Sequence, residues 1–331
     1  MSTTTSPESA PVADHPSHAE TGAPPPVLRI VLAISALLAV LVTAFAWPAV
    51  NSAPRDVPLG VVAPAPALAQ LEGQLASGDE PAFELTSYDD RAAAEEAILG
   101  RDVYGAVVLG PGGGELLVAS GASPAVATSL QQFAAAVPAE AGGPLTVTDL
   151  APLPEDDPRG VGLATSLFPI LLGGMASGIA SALALRTPGA RLAAVGSIAV
   201  VGGLVIAGIL QGWLGALTGS WWANSGAIAL GIGAIGASLV GLHRVLGLPG
   251  VGLGAAVMML LGNPLSGVSG APEMLPAGWG ALGQLLPPGA AGSLLRSTAF
   301  FDGAGAWGPV LVLGTWLVVG AALALVPRRE A

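Results

Sequence analysis

The sequence predicts a polytopic α-helical membrane protein with six transmembrane helices and a small extracytoplasmic α/β domain inserted between helices one and two. Three observations carry this prediction. Hydrophobic residues make up 52% of the 331 residues and charged residues only 10%, whereas a soluble domain carries about a quarter charged residues. The apolar residues form runs that are too long for an ordinary core helix. Most of the acidic residues lie in one segment, residues 51–160.

That segment accounts for the negative charge of the whole chain. Residues 51–160 hold 16 acidic residues and 4 Arg, and the net charge of the chain is −11. An acidic outer segment argues against nucleic acid as a partner, because phosphates call for a face rich in Lys and Arg. The chain contains no Lys and no Cys, which excludes a phosphate loop ending in Gly-Lys-Ser/Thr, a disulfide and a thiolate metal site. We expect no cofactor and no metal.

The N-terminal part combines a polar tail with an apolar run. Residues 1–27 are rich in Ser, Thr, Pro and Ala and predict a disordered cytoplasmic tail. Residues 30–50 carry no charge, and we assign the first transmembrane helix to residues 28–50. The run exceeds the apolar core of a signal peptide, which is about 7–15 residues long. Its length favours an uncleaved anchor, with a cleaved signal peptide as the alternative.

Residues 51–160 predict the α/β domain, with the element order β-α-β-α-β-β-α-β. Alternating apolar residues indicate the strands, and apolar residues spaced three or four apart indicate the helices. The strands are expected at residues 57–62, 83–88, 103–109, 115–120 and 145–150. One helix is expected over residues 66–76, one after Asp89 as the N-cap, and one from Ser123 as the N-cap to Phe133. The glycine-rich run 110–114 could be a phosphate loop, but a strand follows it, which favours a hairpin turn.

Residues 161–327 predict a five-helix membrane domain, followed by a cytoplasmic tail at residues 328–331. The spans are expected at residues 161–185, 192–217, 223–242, 245–261 and 309–326. Residues 262–308 are rich in Pro and Gly, and their apolar segments at 279–286 and 290–298 are too short to cross a bilayer. We interpret this part as an outer re-entrant or interfacial region.

The basic residues predict the orientation. With six spans, the basic positions between and beside the spans fall on one side, which the positive-inside rule assigns to the cytoplasm. These positions are Arg29, Arg186 with Arg191, His243 with Arg244, and Arg328 with Arg329. Both termini are then cytoplasmic, and the chain is a multi-pass protein of the plasma membrane. Among the loops of the membrane part, Arg296 is the one basic residue outside.

Inside the predicted spans, the membrane part contains uncharged polar side chains but no charged ones. No Asp, Glu, Arg or Lys lies inside a predicted span, which argues against a proton-coupled transporter. Candidate residues for a substrate path or for helix packing are Ser177, Ser181, Gln211 and Asn224. Pairs such as Gly174-x-x-x-Gly178 allow close helix approach, either within one protomer or at a dimer seam. No His can reach the outer domain, so a Ser–His catalytic arrangement is excluded there and we expect no enzyme.

The order of these elements resembles the permeases of type-2 ABC exporters, and among them the actinobacterial branch similar to the phage infection protein. The resembling stretches are residues 58–62, 88–98, 103–108 and 263–289. The resemblance implies a homodimer or heterodimer of six-helix units in contact with membrane lipid. It also implies a separate ATP-binding subunit that drives outward movement of a lipidic, polysaccharide or drug-like substrate.

One departure from that pattern keeps a second interpretation open. Such permeases couple to the ATPase through a cytoplasmic element between the second and third spans, and here that loop comprises only residues 186–191. The alternative is a non-transporting cell-envelope membrane protein whose outer domain binds a protein or a cell-wall partner.

Overall fold

The computed structural model describes residues 25–69, 81–110, 113–135 and 145–327. The chain forms two compact units, residues 1–41 and 42–331. Helix α1 (Pro26–Val50) begins in the first unit and ends in the second. It matches the predicted first span within two residues, and no charge follows Arg29 along its length.

Five strands and two complete helices follow α1. They are β1 (Val57–Val62), β2 (Phe83–Ser87), α2 (Arg91–Gly100), β3 (Gly105–Gly110), β4 (Gly113–Val118), α3 (Pro124–Ala135) and β5 (Thr146–Asp149). Each strand lies within two residues of its predicted position. The helix predicted over residues 66–76 is seen as a helical segment at 65–69, and the rest of that prediction lies outside the described residues.

The strands form one sheet in the order β2-β1-β3-β4-β5. Strand β1 is parallel to β2 and β3, and β4 is parallel to β5. The exception is the β3–β4 pair, which is antiparallel with Gly110 opposite Gly113. This hairpin is what the glycine-rich run favoured, although residues 111 and 112 lie outside the described part of the chain.

Helices cover both faces of the sheet because apolar side chains alternate between the faces along each strand. One face packs Leu59 and Leu116 against Leu130 of α3. The other packs Ala106 and Leu117 against α2. The second layer also contains Phe301, which belongs to the helical part of the chain.

The two predicted caps have different outcomes. Ser123 caps α3 as expected, and its hydroxyl accepts a hydrogen bond from the Val126 amide at 3.2 Å. The prediction of Asp89 as the cap of α2 was wrong by one residue. Asp90 has the extended backbone of a cap, and its carboxylate accepts the Ala93 amide at 2.8 Å. The helix buries Ala94, Ala97 and Ile98.

Four further helices are long and apolar enough to cross a membrane, which makes five with α1. They are α4 (Val161–Ala184), α5 (Pro188–Ala207, continued as a π-helix over Gly208–Trp213), α6 (Trp221–Leu246) and, near the C-terminus, α10 (Trp307–Leu325). The chain is thus a mostly helical membrane protein. Helix α6 lies at the centre of this part, packed against α4, α5 and α10.

The predicted span at residues 245–261 is shorter than the other spans. Helix α7 (Leu248–Ala256) continues as a π-helix over Val257–Gly262, and the combined element is apolar but below spanning length. Gly247, with a φ of +69°, ends α6 and starts α7 without a loop. The structure therefore contains five helices of spanning length among the described residues, where the sequence predicted six.

The region 262–308 forms helices at its two apolar segments, in agreement with their interpretation as helices too short to cross a bilayer. It contains two 3₁₀ turns (Pro264–Ser266 and Pro272–Met274), α8 (Trp279–Gln284) and α9 (Pro287–Phe300). Helix α9 begins with two prolines at positions that tolerate a missing N–H. Most of its residues are buried, and it packs against α6 and α10.

Candidate functional site

Two of the four residues proposed from the sequence lie in a tight seam between α4 and α6. Ser177 and Ser181 are 2% and 3% exposed. The Ser177 hydroxyl donates to the Gly174 carbonyl at 2.8 Å, one turn earlier in the same helix. A Cβ added at Gly178 would lie 2.7 Å from the Gly236 carbonyl oxygen, so the two backbones are in direct contact. This place is closed by helix packing.

The other two residues are joined by a hydrogen bond. The Asn224 amide donates to the Gln211 side-chain oxygen at 3.0 Å and to the Thr218 carbonyl at 2.8 Å. Gln211 donates in turn to the Gly219 carbonyl at 2.9 Å. Thr218 donates to the Ala299 carbonyl of α9 at 2.6 Å. This network ties the loop between α5 and α6 to the outer helix α9.

The network leaves two acceptors unused. The side-chain oxygens of Asn224 and Ser225 are buried and have no hydrogen-bond partner among the described residues. Unpaired buried polar atoms are uncommon and mark places where water or a ligand can bind. The structure therefore brings Gln211 and Asn224 together and places Ser177 and Ser181 in the separate α4–α6 seam.

A third group of polar residues lies where the five-stranded sheet with α2 and α3, here called the sheet layer, meets α8 and α9. A cavity of about 260 Å³ is lined there by Arg101, Tyr104, Glu273, Gln284, Ser293 and Arg296. We call it the junction cavity. Arg101 and Tyr104 follow α2, and the other four named residues belong to residues 264–300. The junction cavity is therefore built by segments that are far apart in the sequence.

Hydrogen bonds hold each wall of the junction cavity. The Tyr104 hydroxyl donates to the Glu273 carboxylate at 2.8 Å. Arg101 donates to the Ser293 carbonyl at 3.2 Å and to the Ser297 hydroxyl. Its guanidinium also lies over the Phe301 ring, 5.4 Å from the ring centre. These contacts fasten the sheet layer to α9 and to the turn at residues 272–274.

Main-chain hydrogen bonds to residues 273 and 274 and the side chain of Gln284 also hold the walls of the junction cavity in place. The amides of Ala53 and Arg55, after α1, donate to the Met274 and Glu273 carbonyls at 3.0 and 3.1 Å. Gln284 donates to the Ser266 carbonyl at 2.9 Å and accepts from the Ser293 hydroxyl at 2.6 Å. The position of Glu273 is therefore fixed by main-chain bonds as well as by Tyr104.

Burial shifts the ionisation of three residues in the junction cavity. Burial, together with the neighbouring Glu273 charge, raises the pKa of Tyr104 far above its ordinary value, so its hydroxyl stays a donor. Burial lowers the pKa of the Arg101 guanidinium. Burial also lowers the pKa of Arg296 to about 10, and the like charge of Arg101 adds to that shift. Both arginines remain cations at neutral pH.

One feature of the sequence could have pointed to the polar residues of the junction cavity. Between residues 262 and 301 the only charged residues are Glu273 and Arg296. A lone acid and a lone base in an otherwise apolar stretch are seldom left unpartnered inside a fold. Tyr104, which donates to Glu273, and Arg101, which lines the same cavity as Arg296, gave no local pattern and could be found only from the tertiary structure.

A larger and more apolar groove opens near the ends of α1 and α4. It has a volume of about 670 Å³ and is lined by Phe45, Pro48, Phe168, Val268 and Met274, among others. Trp47 and Trp279 stand edge to face beside it, with ring centres 5.8 Å apart. Tryptophan pairs of this kind are typical of the membrane–water interface.

Basic side chains gather at the other end of the long helices. The Arg191 guanidinium lies 3.4 Å from the His243 ring nitrogen Nδ1, and Arg244 donates to the Val326 carbonyl at 2.8 Å. Ala164 in the groove and Ala184 at the end of α4 are separated by 20 positions. At 1.5 Å per residue they are roughly 30 Å apart along α4, the thickness of a bilayer core.

The described residues contain no group of three or more His, Asp or Glu side chains that could hold a metal ion. Comparisons of the chain with protein-family models, with curated proteins and with solved structures found no match.

Proposed function

We propose that this chain is a permease subunit similar to those of type-2 ABC exporters, which moves a lipidic, polysaccharide or drug-like substrate outward and is driven by a separate ATPase. In this proposal Leu248–Gly262 is the short sixth membrane segment, and the sheet layer forms the extracytoplasmic α/β domain. Both termini lie in the cytoplasm of a plasma-membrane protein, and the chain has no enzymatic activity of its own.

The observation that carries the proposal is the apolar groove of about 670 Å³ near the ends of α1 and α4. A groove lined by Phe45, Phe168 and Met274 suits the apolar part of an amphiphilic substrate. The tryptophan pair beside it would place the groove at the outer interface, and the Arg191–His243 cluster would then lie inside. A substrate crossing from the basic end would reach the groove last.

The loop between α4 and α5 favours the second candidate, a non-transporting envelope protein. Helix α4 ends at Ala184 and α5 begins at Pro188, with the Thr187 side chain capping α5. No extended coupling element for an ATPase can fit between these two helices. Under this alternative, the outer sheet layer binds a protein or a cell-wall component and no substrate moves.

Orientation is tested by labelling single cysteines in intact cells, since the natural chain has none. Ala92 and Ala190 are both exposed, and they lie in α2 and α5. We expect an impermeant maleimide to label Ala92→Cys and to label Ala190→Cys only after the membrane is opened. Labelling of Ala190→Cys alone in intact cells would reverse the orientation and remove the export proposal.

Coupling is tested with the purified chain in nanodiscs and each ATPase encoded beside its gene. We expect one ATPase to bind and its turnover to change at least twofold. Arg186→Glu, at the exposed α4–α5 loop, should reduce that effect, whereas Arg159→Glu, exposed before α4, should not. If no co-encoded ATPase changes its turnover, the non-transporting alternative is the better account.

A further inference from the structure

Arg296 is a buried cation whose hydrogen-bonding capacity is mostly unused. It is 5% exposed, and a guanidinium presents five N–H donors. Within the described part of the chain it donates one hydrogen bond, to the Val268 carbonyl at 2.8 Å, and forms no ion pair. A buried cation is strongly destabilising unless an anion or several acceptors face it. An acceptor for the remaining donors is therefore missing from the chain's own side chains.

The junction cavity provides the space for such an acceptor. Its volume is about 260 Å³, and both Arg296 and Arg101 line it. A cavity of about 150 Å³ is large enough for benzene, so an ion of four or five heavy atoms can enter this one. Gln284 and Ser293 line the same space, which gives the cavity polar walls apart from the two guanidinium groups.

The buried charges of the junction cavity do not balance. Arg101 and Arg296 are both cations, and their mutual repulsion contributes to the lowered pKa of Arg296. Glu273 is the acid that faces them, and one of its oxygens is occupied by the Tyr104 hydroxyl. Asp102 also lines the cavity but is exposed, so water and salt screen its charge. One further negative charge between the guanidinium groups would balance the interior.

We propose that the junction cavity binds one small oxyanion, a phosphate or a carboxylate, between the guanidinium groups of Arg296 and Arg101. Guanidinium forks match the paired oxygens of these groups and form the stronger, charge-assisted hydrogen bonds. The bound ion joins α9 to the residues that follow α2, and so it stabilises the contact between the sheet layer and the outer helices. The site does not depend on whether the chain transports a substrate.

The test is a binding measurement on the purified full-length chain in detergent, with inorganic phosphate and acetate as the probes. Equilibrium dialysis of radiolabelled phosphate and acetate should show one saturable site per chain for at least one of the two. At ten times the Kd, the Tm of this 331-residue chain should rise by about 2 °C. Sodium chloride at the same ionic strength is the control and should not raise the Tm to the same extent.

Two variants that each remove one positive charge distinguish oxyanion binding in the junction cavity from a general effect of ions on the Tm. Arg296→Gln removes the buried cation, and we expect the affinity of the saturable site to fall at least tenfold. At the same probe concentration the rise in Tm should then fall to about a third or less. Arg159→Gln removes an exposed cation and should leave both unchanged. If Arg296→Gln does not fold, Arg101→Gln serves as the second variant, and the dialysis on the natural chain still decides the question.

The proposal fails under either of two results. The natural chain could bind neither phosphate nor acetate below 50 mM, which would mean that water alone fills the junction cavity. Alternatively, Arg296→Gln and Arg101→Gln could both retain the full shift in Tm, which would place the binding elsewhere on the chain. Neither result bears on the ATPase experiment, so the two proposals are tested separately.

Discussion

The α4–α6 seam and the junction cavity connect parts of the same molecule by opposite means. In the seam, contact depends on missing side chains, since Gly178 and Gly236 bring two helix backbones together. At the junction, contact depends on long polar side chains, chiefly Arg101 and Tyr104, which reach from the sheet layer to α9 and Glu273. The first connection has no room for change, whereas the second encloses a space that a ligand can occupy.

The difference follows from the surroundings of each connection. Between membrane helices, lipid is as apolar as leucine, so close packing and small residues supply most of the attraction. At the junction with the sheet layer, apolar burial favours contact, but polar groups must also be satisfied once they are buried. A seam of small residues is therefore expected to be rigid, whereas a junction with an unpaired cation is expected to respond to a bound anion.

The largest effect is expected in the seam, from Gly178→Ala. The new Cβ would lie 2.7 Å from the Gly236 carbonyl oxygen and 2.9 Å from the Leu239 Cβ, so α4 and α6 must separate. Overpacking of this kind costs about 1–3 kcal/mol, and we expect the upper part of that range because one of the crowded atoms belongs to a backbone. Thermal unfolding in detergent, followed by tryptophan fluorescence, measures the loss.

Gly196→Ala in α5 is the matched control for that substitution. A Cβ at Gly196 has no described heavy atom within 4 Å, apart from its chain neighbours and the backbone of its own helix. Alanine favours a helix over glycine by up to about 1 kcal/mol, so the variant should be as stable as the natural chain or slightly more stable. Equal losses from both variants would show that the seam is not the tight contact described above.

The second prediction concerns the junction and uses the only two tyrosines of the chain. Tyr104→Phe removes the donor to the Glu273 carboxylate, and hydrogen bonds to charged groups contribute about 1.5–3 kcal/mol. We expect a loss of about 2 kcal/mol in the free energy of unfolding. Tyr88→Phe should change it by less than about 0.5 kcal/mol, because the Tyr88 hydroxyl has no hydrogen bond within the described structure.

A similar cost for the two tyrosine variants would contradict the polar junction. Combining Tyr104→Phe with Glu273→Gln in a double-mutant cycle isolates the pair, because residues in contact show coupling of about 0.5–3 kcal/mol. Coupling near zero would mean that the 2.8 Å contact contributes nothing measurable.

The comparison also shows which features a sequence can predict. The spans, the five strands and the Ser123 cap were predicted because each depends on a local pattern of apolar or capping residues. The α4–α6 seam was visible as Gly174-x-x-x-Gly178, although its partner helix was not. The length of the helix at the predicted span 245–261 was overestimated because these residues are apolar throughout, while Gly247 and the π-helical end shorten the helix that forms there.

The junction cavity could not be predicted because its residues have no common spacing. Arg101 follows a helix in the polar segment, and Arg296 lies in a helix that was interpreted as interfacial. Only the tertiary fold brings Glu273 within reach of Tyr104. Of the four residues chosen from the sequence, Gln211 and Asn224 do meet, and whether they line a path or only connect helices remains a prediction.

A third and smaller effect tests that pair. Gln211→Met keeps the length of the side chain but removes the acceptor for Asn224 and the donor to Gly219. Hydrogen bonds between membrane helices contribute about 0.6 kcal/mol on average and at most about 1.7, so we expect a loss of about 1 kcal/mol. Ile209→Met, an exposed position in the same π-helical segment, should be neutral. Impaired export by a Gln211→Met chain of unchanged stability would favour the path interpretation.

The smallest effect is expected at a solvent-accessible ion pair of the sheet layer, Arg91 with Glu115. This pair contrasts with the charged residues of the junction cavity. Arg91 donates to both Glu115 oxygens, at 2.8 and 3.0 Å, and these bonds hold the pKa of Glu115 below its ordinary value. The folded state thus favours the ionised carboxylate. Its contribution to stability is present above the pKa of the unfolded chain and is lost as the pH falls through the lower pKa of the folded chain.

The chain and its Arg91→Gln variant should therefore differ slightly in Tm at pH 7 and converge as the pH falls below 4. Surface pairs contribute little because water and salt screen them, so 0.5 M sodium chloride should narrow the gap at pH 7 as well. The Tyr104–Glu273 contact should keep its effect in that salt, because it joins a neutral hydroxyl to one carboxylate rather than two opposite charges. A salt response of equal size at both places would remove the distinction between an ion pair and a contact made by a neutral hydroxyl.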